Sequence, residues 1–180
     1  MKIRPIIPRI AARYGAVGGL LAVIAYLTFF YLDQQPWRNL ISFLLDAVIV
    51  GFFCFLPIKE FKRDHNDNEL RFYHGMTIGF ISYLMVGFIF SLFYAIFINW
   101  VEPGFMDLYK AVQMEDMVAM KDLIMSRAKE NPEEFYQQQL ESISVITKSQ
   151  LILDVFLKKA LIGLFLTPIF SIVLRSHKAR

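Results

Sequence analysis

The sequence predicts an all-α fold: an integral membrane four-transmembrane-helix bundle with an extracytoplasmic amphipathic helical hairpin between helices three and four. Three observations carry that expectation. Hydrophobic residues are 56% of the 180 against 19% charged, and a mean hydropathy of +0.45 is more than ordinary water-soluble domains reach. The apolar residues gather into four runs, each near the ~20 residues a helix needs to cross a hydrocarbon core. Between the third and fourth runs the pattern changes to mixed residues with helical spacing, apolar on one face only.

The first run, 14–32, follows Lys2, Arg4, Arg9 and Arg13. A signal peptide also opens with basic residues, but its apolar core is shorter and a small-residue cleavage site follows. Here Tyr-Leu-Asp-Gln-Gln-Pro-Trp follows, which reads as an uncleaved span ending in a turn at Pro36 and Trp37. The second span, 40–58, is interrupted only by Asp46. Residues 59–71 are nearly all polar and read as a short solvated loop. The third run opens at Phe72 and reaches Val101, with the span proper at 75–101 and Tyr73 and His74 suited to the interface.

Segment 105–150 is the hairpin. Phe105, Leu108, Val112, Met120 and Ile124 share one face of a first amphipathic helix. Asn131, Pro132, Glu133 and Glu134 then form a helix start: an N-cap acceptor, a proline at the first position, and acids at the positive end of the dipole. The second helix, patterned by Phe135, Leu140, Ile143 and Ile146, either runs into the fourth span, 151–174, or pauses near Ser149. These helices stand above the membrane or lie along it; the composition suits both.

Charge sets the orientation. With four spans the termini share a side, and that side collects Lys2, Arg4, Arg9, Arg13, Lys59, Lys62, Arg63, Arg71, Arg175, Lys178 and Arg180. The other side has Arg38, Lys110, Lys121, Arg127, Lys129 and Lys148, together with ten of the acids. The bias toward cytoplasmic cations places both termini in the cytoplasm and segment 105–150 outside, which in a two-membrane bacterium is the periplasm. A net charge of +3 without a Lys/Arg and aromatic patch argues against nucleic acid. The lone Cys54 closes no intramolecular disulfide.

Basic residues before RYGAVGGLL at the head of the first span, a polar loop and a Gly-studded third span come first. A Met- and Glu-rich helical pair and a last span ending in Leu-Arg follow. In that order these features resemble a family of small four-span membrane proteins of Bacteroidota, domain of unknown function 4199. The resemblance covers nearly the whole chain. It implies four spans and an inner-membrane location, and it brings no catalytic or ligand residues.

Ionisable residues within spans are costly unless paired, so Asp46, Asp154, Lys158 and Lys159 form a candidate intramembrane charge cluster. Asp46 and Lys158 sit at similar depth and can meet across the bundle, and Asp154 to Lys158 is a favourable i,i+4 pair. The cluster relays protons or an ion, or else it pins helix two to helix four while the lysines snorkel. Gly75, Gly79, Gly87, Ser91 and Ala95 make an i+4 row on helix three, broken by Tyr83. Ala11, Gly15 and Gly19 repeat it on helix one. Such rows serve packing within the bundle or self-association.

Met114, Met117 and Met120 occur as MEDMVAM, which suits Cu(I) in principle and adaptable apolar packing more simply. His65, His74 and His177 have no companion at ligand spacing, Cys54 reads as a packing residue, and Pro168 reads as a kink. No phosphate loop, H-E-x-x-H, G-x-S-x-G or carboxylate dyad appears, so no metal, cofactor or catalytic residue is assigned. The expected function is that of a non-enzymatic accessory or scaffold component in the lipid bilayer. It binds a protein partner, or its own copy, through the outer helices. The alternative is a small ion- or proton-coupled transporter acting as a homo-oligomer.

Overall fold

A computed structural model describes residues 5–127 and 131–176. Lys2, Arg4, Lys129, Lys178 and Arg180, which entered the charge reading, and His177 lie outside the described residues. The elements are α1 (Ile6–Tyr31), α2 (Leu40–His65), α3 (Phe72–Ile96) with a π-helical extension Phe97–Val101, α4 (Phe105–Ala119), α5 (Lys121–Arg127), α6 (Pro132–Ser144) and α7 (Lys148–Val173). No strand occurs among the described residues. Four of the helices, α1, α2, extended α3 and α7, are long and apolar enough to cross a bilayer. The chain forms two compact units: one of residues 1–93 with 154–180, the other Tyr94–Leu153.

In the first unit α1 starts before the apolar run, with Pro5 just outside the helix and Pro8 in its first turn, where a missing N–H costs nothing. Between α1 and α2 the side chain of Asn39 accepts a hydrogen bond from the Ile41 amide at 2.8 Å and caps α2. Residues 59–65, expected in the solvated loop, belong to α2. Two features hold them helical. Phe61 is fully buried, and Lys62, Arg63 and His65 in the last turn complement the negative end of the helix dipole. The loop shrinks to 66–71, where Asp67 and Asn68 adopt the left-handed backbone that short polar side chains tolerate. It is tied to the end of α7, since Ser176 donates its amide to Leu70 O at 3.0 Å and its hydroxyl to Asn68 O at 2.8 Å.

One end of this unit is closed by a cluster of Ile7, Ile10, Ala11, Ile58, Phe61, Leu70 and Ile78. Further along α1 the ring of Tyr26 packs edge-on against Phe90 with centroids 5.6 Å apart.

In the Tyr94–Leu153 unit, α6 folds back on both α4 and α5. The buried seam differs from the one expected. Phe105, Val112, Tyr136 and Ile143 are buried, whereas Leu108, Met120 and Phe135 are exposed. The first amphipathic helix also breaks at Met120, which ends α4, so Met120 and Ile124 do not continue the face that Phe105 begins. The ring of Phe105 packs between Tyr94 and Phe97 at 5.8 and 5.7 Å. A large aromatic anchor of this kind outweighs the aliphatic stripe.

Asn131 does precede α6, but in the left-handed conformation (φ 47°) and without a side-chain cap. Its side-chain amide donates instead to Glu134 at 3.1 Å. The break before the fourth apolar helix falls at Val145–Thr147 rather than near Ser149. A capping box causes it: Gln150 donates its amide to Thr147 Oγ1 at 3.3 Å, and the Thr147 amide donates to Gln150 Oε1 at 2.8 Å. Lys110 closes the other helix end by donating to Ser144 O at 2.6 Å.

Candidate functional site

The four-residue charge cluster separates into two pairs. Asp46 meets Lys159, with Nζ donating to Oδ2 at 2.6 Å, and not Lys158. Lys158 pairs along its own helix with Asp154, also at 2.6 Å. Consecutive residues on a helix point ~100° apart, so only one of the two lysines can enter the bundle. Lys159 is 2% exposed and its partner carboxylate 30%. The Lys158–Asp154 pair stays about half exposed on both members.

Small residues on α7 explain why Lys159 is the one turned inward. It opens an i+4 row with Gly163, Thr167 and Ser171, and this row packs antiparallel on the row of α3. A Cβ added at Gly75 would meet the side chain of Ser171, one at Gly79 would meet Thr167, and one at Gly163 would fall on Cβ and Cγ of Tyr83. From Gly75 to Tyr83 the register is constant: each step of four along α3 is matched by a step of four back along α7. Tyr83, the apparent break in the small-residue row, is therefore a knob received by a glycine on the facing helix. Gly87 faces Phe156 in the same interface.

The row on α1 packs likewise within the bundle. A Cβ at Gly15 would lie 2.6 Å from Ser82 O and from Met85 Cβ, and one at Gly19 would lie 2.8 Å from Ile89 Cβ. Ser82 is buried and directs its hydroxyl to Ile78 O at 2.9 Å, with Ala11 O at 3.4 Å. Ser91 is buried. Ala95 belongs to the Tyr94–Leu153 unit, where its carbonyl accepts from Asn99 at 2.8 Å.

The Lys159 ammonium also sits over the face of Phe90, 3.8 Å from the ring centroid. A desolvated cation gains from the negative face of the ring as well as from its carboxylate. Through Tyr26, Phe90, Lys159 and Asp46 a contact chain links α1, α3, α7 and α2. Sequence reading missed Phe90 and Gly163. The signal for the second was present, since Gly163 lies four residues from Lys159 and from Thr167.

A second polar node escaped sequence reading because it falls in the extended end of α2. Glu60 accepts from Arg13 Nη2 at 2.8 Å and from Tyr14 Oη at 2.6 Å, with His65 Nε2 3.9 Å away. It fastens α1 to α2. His74 packs its ring against Phe61, centroids 5.2 Å apart. Cys54 is fully buried, with Sγ 3.8 Å from Gly79 O. No group of three or more His, Cys, Asp or Glu side chains able to hold a metal occurs among the described residues. Met114 and Met117 lie on α4, while Met120 ends it.

Chemically, the arrangement offers a closed ion pair, a helix-packing register and a helical unit with apolar side chains left outside its own seam. No curated protein and no solved structure matches the chain. A family model described as a protein of unknown function (DUF4199) matches residues 13–176, which takes in all four apolar helices save the first turns of α1, both charge pairs and the whole of α4–α6; the chain belongs to that family.

Proposed function

We propose that this protein is a non-enzymatic accessory or scaffold component of a bacterial inner membrane. Both termini are cytoplasmic, and the α4–α6 segment lies outside and binds a protein partner. The observation that carries this reading is the surface of the Tyr94–Leu153 unit. Its seam buries Phe105, Val112, Tyr136 and Ile143, yet Leu108, Val118, Leu123 and Val145 remain exposed. A helical surface with unpaired apolar side chains beside charged ones suits a partner groove. The excess of Lys and Arg on the terminal side supports the orientation, and the lack of a nucleophile–base motif in the sequence supports the non-enzymatic reading.

The test is purification from the source membrane in mild detergent, with mass spectrometry of the co-eluting chains. We expect one partner at a fixed ratio, lost at least ten-fold when Val118 and Leu123 are replaced by Glu at unchanged abundance. No recurrent partner, or one retained by the double variant, overturns the reading.

The Asp46–Lys159 pair, charged groups between membrane-capable helices, favours a second reading in which a homo-oligomer couples proton or ion movement to this pair. It requires Asp46→Asn to abolish a transport-dependent phenotype while the protein accumulates normally.

A further inference from the structure

The outward face of α7 combines a charged pair that hydrocarbon does not satisfy with an apolar row in register with it. The stretch 160–174 contains no charged residue and is 15 residues long, which is ~22 Å at the helical rise against a hydrocarbon core of ~30 Å. A span through α7 therefore carries Lys158 into or against the apolar layer. Unlike Lys159, it is not covered by the bundle: Lys158 and Asp154 are 55% and 46% exposed. They also head a row. Asp154, Lys158, Leu161, Phe165 and Ile172 follow the alternating 4,3 spacing of a helix–helix seam, with one position, Pro168, between the last two. Leu161, Phe165 and Ile172 are all exposed. Of the four membrane-capable helices α7 is also the least covered by its own chain, with 22% of its apolar window buried against 50% for extended α3.

We propose that a second copy of this chain covers this face, the copies being related by a two-fold axis along the membrane normal, with Asp154 and Lys158 of each meeting the same pair of the other. Every copy inserts in one orientation, and because the Lys158 ammonium lies 2.6 Å from the Asp154 carboxylate of its own helix, the two ammonium groups and two carboxylates share one level and can alternate around the axis. A two-fold interface is self-complementary. The four charges sum to zero, and each carboxylate gains a second ammonium where the hydrocarbon offers none. Below them Leu161, Phe165 and Ile172 supply the apolar seam, in the left-handed crossing common among membrane helices. A foreign helix would need a matching acid and base at the same depth, whereas a second copy carries both by symmetry. The inference uses no residue of the Tyr94–Leu153 unit and so stands or falls apart from the partner reading above.

The test is disulfide trapping in membrane vesicles with Leu161→Cys in a Cys54→Ala chain, and Val17→Cys on the exposed face of α1 as control. We expect a species of twice the monomer mass from Leu161→Cys and not from Val17→Cys. No such species, one equally strong from the control, or an adduct of another mass overturns the proposal. In the same reporter, Asp154→Lys or Lys158→Asp alone should lower the trapped fraction at least ten-fold. Co-expression of the two, which sets a doubly basic copy against a doubly acidic one, should restore it to within two-fold. Trapping that is insensitive to both changes overturns the charge-paired interface. Should the charge variants fail to accumulate, the charge-neutral Leu161→Cys result decides.

Discussion

Lys158 and Lys159 are neighbours in the chain, each 2.6 Å from a carboxylate, yet their surroundings have little in common. Lys159 reaches across to another helix, lies against an aromatic face and is almost wholly enclosed. Lys158 reaches back one turn on its own helix and stays about half exposed. Salt-bridge distance is therefore a poor guide to what a charge does. What separates the two is ~100° of helix rotation, and that rotation is set by Gly163, Thr167 and Ser171, which press one side of α7 against α3. Small residues, which carry no chemistry themselves, decide which lysine becomes internal.

The comparison is tested most severely by removing one cation at a time. Lys159→Met leaves the Asp46 carboxylate facing the bundle without its ammonium, and breaking a buried pair on one side costs ~3–5 kcal/mol. We expect the lower end, because Asp46 keeps 30% of its side-chain surface exposed. Asp46→Leu together with Lys159→Met should recover most of the loss, since an apolar pair of similar volume needs no compensation. Unfolding of the purified protein in mixed micelles reads both. A single variant as stable as the parent would mean that the inner pair is no more structural than the outer one.

Next in size is the register that turns Lys159 inward. Gly163→Ala places a methyl on Cβ and Cγ of Tyr83, and overpacking of this kind costs ~1–3 kcal/mol. Tyr83→Phe should not rescue it, because the contact is with ring-stem atoms common to both residues. The same unfolding measurement applies, and a neutral Gly163→Ala would remove the glycine from the account of why Lys159 is inside.

Much of this was legible in the sequence and some was not, for physical reasons. Four apolar runs and a change of period are signals of composition and spacing, which need no knowledge of neighbours, and the four long helices follow from them. The partner of Asp46 depends on helix rotation, and depth alone pointed to Lys158. The i+4 row of Lys159, Gly163, Thr167 and Ser171 carries the answer, and it is the same kind of row as the one on α3. The helix break before α7 was likewise written as Thr147 and Gln150, a capping box three residues apart. Other features had no local signal. Residues 59–65 look like loop because they are polar, and they stay helical because Phe61 is buried by residues distant in sequence and because Glu60 finds Arg13 and Tyr14 on α1. Leu108 and Phe105 are equivalent on an amphipathic stripe; only packing against Tyr94 and Phe97 makes Phe105 the anchor.

The smallest effect belongs to the outer pair and sharpens the contrast most. Lys158→Met removes one member of an exposed i,i+4 pair, and such pairs stabilise a helix by ~0.2–0.5 kcal/mol. Dilute protein in micelles should unfold within about 0.5 kcal/mol of the parent, far from the loss expected at Lys159. In a bilayer the same substitution acts elsewhere. It leaves Asp154 of each copy without either ammonium, so association between copies should weaken although each copy remains folded. A variant that is silent in unfolding yet defective in trapping would assign the two neighbouring lysines to two interfaces, one inside the chain and one between chains. A Lys158→Met protein that unfolds as readily as Lys159→Met would mean that exposure at α7 does not distinguish them.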